Sequence, residues 1–101
     1  MFYGQWDLVV DDKWRLRIPS ELSYEIGEKV LIFECGERIQ IKNLLTDMSE
    51  NDYPYVVVVK DNIKGKRILI PKRLRGSKVF LSGRNVLMLG KGDYIEITSR
   101  K

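Results

Sequence analysis

The stretch Asp11-Asp12-Lys13-Trp14-Arg15-Leu16-Arg17-Ile18-Pro19 decides the fold, because a variant returns as Asp61-Asn62-Ile63-Lys64-Gly65-Lys66-Arg67-Ile68-Leu69-Ile70-Pro71. In each copy a strand-forming run, Leu8-Val9-Val10 and then Val56-Val57-Val58-Val59, leads into a polar turn, and an Arg then stands four positions before a Pro. β-Branched residues fit the pleated backbone, Asp, Asn and Gly favour turns, and Pro cannot continue a ladder. Both copies therefore read strand, basic turn, strand, stop. Within the second strand of copy one, a period of two puts Leu16 and Ile18 on one face and Arg15 and Arg17 on the other. Aligned on Pro19 and Pro71, the copies lie 52 residues apart.

Working outward, 6–10 is a strand, and Ser20 is placed to cap a short helix in which Leu22 and Ile26 share a face and which Gly27 ends. Strands at 29–33 and 38–42 form a hairpin through Glu34-Cys35-Gly36-Glu37. Between the copies, Leu44, Leu45 and Met48 suit one short amphipathic helix, followed by the loop Glu50-Asn51-Asp52-Tyr53-Pro54. In copy two, 55–60 and 67–70 are strands, and Lys72-Arg73-Leu74-Arg75-Gly76 forms a single turn in place of the helix. An extra short strand is predicted at 78–81, and strands at 85–89 and 93–98 are joined by Gly90-Lys91-Gly92. The expectation is an all-β barrel with minor short helices. It forms one domain over 1–101, made of repeats at 1–43 and 55–101 joined by a seam at 44–54.

A chain of 101 residues can bury a sufficient core without staples, and its single cysteine, Cys35, forms no intrachain disulfide. Met1-Phe2-Tyr3-Gly4 lacks the basic and apolar regions of a secretory signal, so a cytoplasmic protein is expected. The net charge of +4 hides an asymmetry. Residues 1–50 carry six Lys/Arg and ten Asp/Glu, whereas 51–101 carry twelve and four. With a pI near 9.3, this pattern suits a nucleic-acid footprint.

Catalytic readings find little support. Without histidine and with one cysteine, the usual zinc sets and imidazole acid–base chemistry cannot be built. Turn chemistry accounts for Asp11 with Asp12, and a solvated hairpin tip accounts for Glu34 with Glu37. Lys64-Gly65-Lys66-Arg67 is not a phosphate-binding P-loop, since the preceding Gly is missing and Arg67 stands where Ser or Thr would meet magnesium. No enzyme activity, cofactor, metal or small-molecule ligand is expected. The candidate DNA-binding residues are Lys13, Trp14, Arg15 and Arg17 with Lys64, Lys66 and Arg67, two basic loops expected on one side of the barrel. A two-stranded ribbon fits the major groove, where Arg can bond guanine and Lys can neutralise phosphate. The residues alone leave a second reading open, two solvated loops on an ordinary barrel. Trp14 either inserts against sugar or base or covers the barrel mouth.

The opening Met1-Phe2-Tyr3-Gly4, the doubled turn, and Val86-Leu87-Met88-Leu89-Gly90 before Tyr94-Ile95-Glu96-Ile97 together resemble the MraZ proteins of the AbrB/SpoVT/MazE superfamily. The resemblance implies a swapped-hairpin, or double-split, β-barrel completed by two copies in one chain. It also implies a bacterial, nucleoid-associated transcriptional regulator of cell-division and cell-wall genes, binding direct repeats in double-stranded DNA and assembling as homo-oligomeric rings. Arg15 matches the family's DNA-contacting arginine, and Arg67 its counterpart in the second copy. Three departures stand out. The Gly usual before Arg is replaced by Trp14 and Lys66, which are expected to distort the turn or use another. The second loop is longer, and the seam is shorter than in typical members. The alternative is an antitoxin-like module that binds both DNA and a protein. Antitoxins of this kind carry a disordered partner-binding tail, and only Thr98-Ser99-Arg100-Lys101 follow Ile97, so the regulator is expected.

Overall fold

The computed structural model describes residues 1–81 and 83–100. Nine strands lie among these residues, with short 3-10 turns before β3, β5 and β8: β1 Phe2–Val9, β2 Arg15–Arg17, β3 Lys29–Cys35, β4 Arg38–Asn43, β5 Val56–Val58, β6 Lys60–Asn62, β7 Gly65–Leu69, β8 Asn85–Gly92 and β9 Ile95–Ser99. They form two antiparallel sheets, one of six strands in the order β1-β8-β9-β4-β3-β5 and one of three in the order β2-β7-β6. Among the described residues the two sheets share no strand and do not close into one hydrogen-bonded barrel.

The order of the six-stranded sheet reads the same when the two copies are exchanged, whereas β6 has no counterpart in the three-stranded one. β1 pairs with β8 of the other copy and β5 pairs with β3, while β4 meets β9 and β2 meets β7 across the middle. The register obeys the same exchange. Leu16 stands opposite Ile68, and Gln40 opposite Glu96. The Ile18 N–H donates to the Lys66 carbonyl at 2.9 Å and the Ile70 N–H to the Trp14 carbonyl at 2.8 Å, which closes the ribbon at both ends. Neither copy can complete its sheets alone.

Period-two alternation sends the apolar residues of both sheets into one core. Leu16, Ile68, Ile39, Ile41, Val86, Met88 and Ile95 are all fully buried in it. β1 runs along the whole of β8, from Phe2 opposite Gly92 to Val9 opposite Asn85, and so begins earlier than the reading of 6–10. Their close approach requires a glycine. A Cβ on Gly90 would lie 2.6 Å from the Phe2 backbone.

Several local expectations change. No α-helix forms among the described residues: Pro19 rather than Ser20 is the cap of a 3-10 turn at Ser20–Leu22, and Ser20 makes no capping bond. The segment before Gly27 is too short to repay helix nucleation, yet Leu22 and Ile26 are buried as expected. The seam has no amphipathic helix. Leu45 is exposed, a 3-10 turn spans Glu50–Asp52, and Tyr53 packs edge-on against Phe33 at 6.0 Å. Residues 78–80 form a 3-10 turn, not a strand: the Ser77 hydroxyl accepts from the Val79 N–H at its start, and Val79 and Phe80 are buried. Gly90, Lys91 and Gly92 lie within β8, and the hairpin turns instead at Asp93 and Tyr94. The run 55–60 divides at Val59, whose N–H donates to the Glu28 carbonyl at 2.8 Å as the chain passes from one sheet to the other. No helix is long and apolar enough to cross a membrane among the described residues.

Candidate nucleic-acid interface

Because Leu16 and Ile68 face the core, their neighbours Arg15, Arg17, Arg67 and Leu69 project from the opposite face of the three-stranded sheet. Arg17 stands directly opposite Arg67, and Lys60 stands opposite Arg67 on its other side. Three cations thus form a row across β2, β7 and β6. Among the described residues none of the three forms an ion pair. Like charges directly opposite destabilise a sheet, so this row raises the free energy of the isolated protein and lowers that of a complex with a polyanion. The buried Arg67 Nε has no hydrogen-bond partner.

The first turn is held by Asp11. One carboxylate oxygen accepts from the Lys13 N–H at 2.9 Å and the Arg15 N–H at 2.8 Å, and the other accepts from Arg15 Nε at 2.8 Å. Desolvation pushes the Asp11 carboxyl up, but the Arg15 N–H, the Arg15 guanidinium and the Lys13 N–H together outweigh it and hold the group below its usual value. Arg15 is thereby fixed through Nε, which leaves its two terminal nitrogens for another acceptor. Trp14 takes a left-handed backbone, with φ +63°, and no other described non-glycine residue has positive φ. Its ring packs edge-on against Phe80 at 5.3 Å, with the Arg84 guanidinium 4.4 Å from its centroid and Arg75 on it at 5.6 Å. Aromatic and cation–π contacts offset the cost of that backbone. Trp14 therefore covers the end of the core.

The second turn solves the same problem differently. Gly65, one position before Lys66, carries the positive φ of +109°, so Lys66 does not need it. Lys66 turns inward, where its ammonium donates to the Ser23 carbonyl at 2.6 Å and the Ile26 carbonyl at 2.9 Å. Trp14 and Lys66, each directly before its Arg, thus tie down the segment that follows the Pro of the other copy, Trp14 by edge-on and cation–π contacts and Lys66 by capping carbonyls. Lys64 remains exposed, its N–H donating to Asn62 Oδ1 at 2.9 Å. A cleft of about 290 Å³ between the Pro19 turn and this hairpin is lined by Arg17, Lys64, Lys66, Ser20 and Ser23.

The structure brings Arg17, Lys64, Lys66 and Arg67 together. Lys13, Trp14 and Arg15 lie at the far end of the ribbon, because β2 and β7 are antiparallel and their preceding turns point opposite ways. Ser20 follows Trp14 by six positions, or about 20 Å of extended chain. Lys60, Arg75 and Arg84 belong to the basic surroundings but are not among the sequence-derived candidates. A period-two count carried through Arg67 to its partner strand identifies Lys60, whereas no local pattern marks Arg75 or Arg84. Comparison with protein-family models and with curated protein sequences gives no match to the chain.

Proposed function

We propose that the chain is a sequence-specific DNA-binding regulator of the MraZ type. The exchange of β1 and β5 between copies is the strand pairing that a double-split barrel needs, and in this reading the two sheets are its halves. The observation that carries the proposal is the row Arg17, Arg67 and Lys60, three cations opposed across a sheet without a carboxylate partner among the described residues. Arg17 and Arg67 lie along the outer face, Lys64 stands at its edge, and Arg15 is held by Asp11 with both terminal nitrogens free. Arginine forks suit guanine O6 and N7 in the major groove, and lysines suit phosphates. Turns about 20 Å apart span about six base-pair steps of 3.4 Å. The reading carries with it homo-oligomerisation on direct repeats, nucleoid association, and regulation of cell-division and cell-wall genes.

The direct test is a gel-shift titration of the purified protein on DNA upstream of its own operon, with a scrambled duplex of equal length as competitor. Retardation that the scrambled duplex competes poorly supports the reading. Equal competition, or no retardation, contradicts it.

A further inference from the structure

Ile63 occupies the tip of the β6–β7 hairpin and is the most exposed large apolar side chain among the described residues, at 105 % relative accessibility. Turn tips ordinarily take polar residues, and no packing within the chain accounts for a β-branched one here. The tip is built rather than loose. Asn62 pairs with Gly65, Asn62 Oδ1 accepts from the Lys64 N–H at 2.9 Å, and Gly65 supplies the positive φ that lets the strand turn back. Behind Ile63 stand Lys64, then Lys60 opposite Arg67, then Arg17. An aliphatic point thus projects from a cationic ribbon.

We infer that Ile63 reads the C5-methyl group of thymine, an inference that rests on the DNA-binding reading above. The major groove presents one apolar feature, that methyl, and discrimination there by an aliphatic side chain needs contact and no hydrogen bond. The lysines and arginines behind the tip have phosphates and guanine within their chemistry, but they cannot recognise a methyl group. Ile63 is therefore a specificity-determining residue, and thymine is the base that it selects.

The test uses a duplex that the full chain enriches from a random-sequence pool, compared with the same duplex carrying deoxyuridine in place of every thymine. Wild type should bind the deoxyuridine duplex about fourfold more weakly for each methyl contacted. Ile63→Ser should bind both duplexes equally, and Ile63→Val should keep most of the discrimination. Ile63→Ser should also melt with wild type, since the side chain touches nothing. If wild type enriches a duplex but shows no loss on deoxyuridine, or Ile63→Ser shows the same loss as wild type, the assignment of Ile63 is overturned while DNA binding stands. If the pool yields no enriched sequence, the DNA-binding reading itself fails, and this inference with it.

Discussion

Arg17 and Arg67 stand directly opposite each other across β2 and β7, next to the Leu16–Ile68 pair at the centre of the ribbon. Their guanidinium groups share one face with Lys60, and no carboxylate in the described chain pairs with any of the three. Stability and binding should therefore respond to one substitution with opposite signs. Arg67→Met removes a like-charge opposition and a buried, unpartnered Nε, so its unfolding free energy from urea titration should hold or rise by up to about 1 kcal/mol. The same change should weaken discrimination at a guanine by about 1–3 kcal/mol. Lys91→Ala, on the six-stranded sheet, should leave DNA binding unchanged. A fall in stability large enough to explain the binding loss would make Arg67 a structural residue.

Trp14 should behave as a packing residue under backbone strain. Trp14→Ala should destabilise the fold by about 2–4 kcal/mol through lost contact with Phe80 and the flanking guanidinium groups. Trp14→Gly loses the ring as well but tolerates φ +63°, so it should be roughly 1 kcal/mol less damaging than Ala. Thermal or urea unfolding of the pair measures this directly. Ala no worse than Gly would contradict the strained backbone.

Lys66 and Lys64 are neighbours in sequence with different work. Lys66→Ala uncaps the Ser23 and Ile26 carbonyls and should cost about 1–3 kcal/mol of stability. Lys64→Ala should leave stability unchanged and make the salt dependence of DNA binding shallower by about one unit. If the two substitutions have interchangeable effects, the inward course of Lys66 is refuted.

Asp11 gives the pH dependence. Its folded-state pKa lies below the usual 3.8, so its contribution is fully present above the unfolded value and is lost as pH falls through the folded one. The side chain is 36 % exposed, so solvent screening keeps the effect small. Asp11→Asn keeps an oxygen for the two backbone N–H groups but gives up the charge. Urea midpoints from pH 6 down to about pH 2 should converge between wild type and variant at the acid end. Parallel curves would contradict an ionised Asp11 holding Arg15. The same variant should lower DNA discrimination if Arg15 depends on that ion pair for its orientation.

The strand plan was legible because runs of β-branched and aliphatic residues are separated by turn residues, and the repeat around Pro19 and Pro71 pointed to a doubled architecture before any geometry. What escaped the sequence was mostly tertiary. Nothing local shows that 55–60 divides at Val59 between two sheets, or that Gly90 serves a close approach of Phe2 rather than a turn. The short segments after each Pro carry helix-like spacing, yet packing of Leu22 and Leu74 needs only a 3-10 turn. At the candidate site, Trp14 stands in a turn with a left-handed backbone that ordinarily favours glycine. Its place there depends on Phe80, Arg75 and Arg84, all more than sixty residues away. The inward course of Lys66 was equally hidden, since a lysine in a basic turn looks like a phosphate ligand until its carbonyl partners are seen.

The central claim is that the outer face of the three-stranded sheet binds duplex DNA through its cations, and the salt dependence of that binding tests it most directly. Affinity for the upstream duplex should be measured by fluorescence anisotropy across a series of salt concentrations, for wild type and for Arg17→Ala with Lys60→Ala. With roughly four to six phosphates contacted, the logarithm of the association constant should fall with the logarithm of salt at a slope of about −4 to −5, and the double variant should be shallower by about two. A wild-type slope near zero, or a double variant indistinguishable from wild type, would contradict the account.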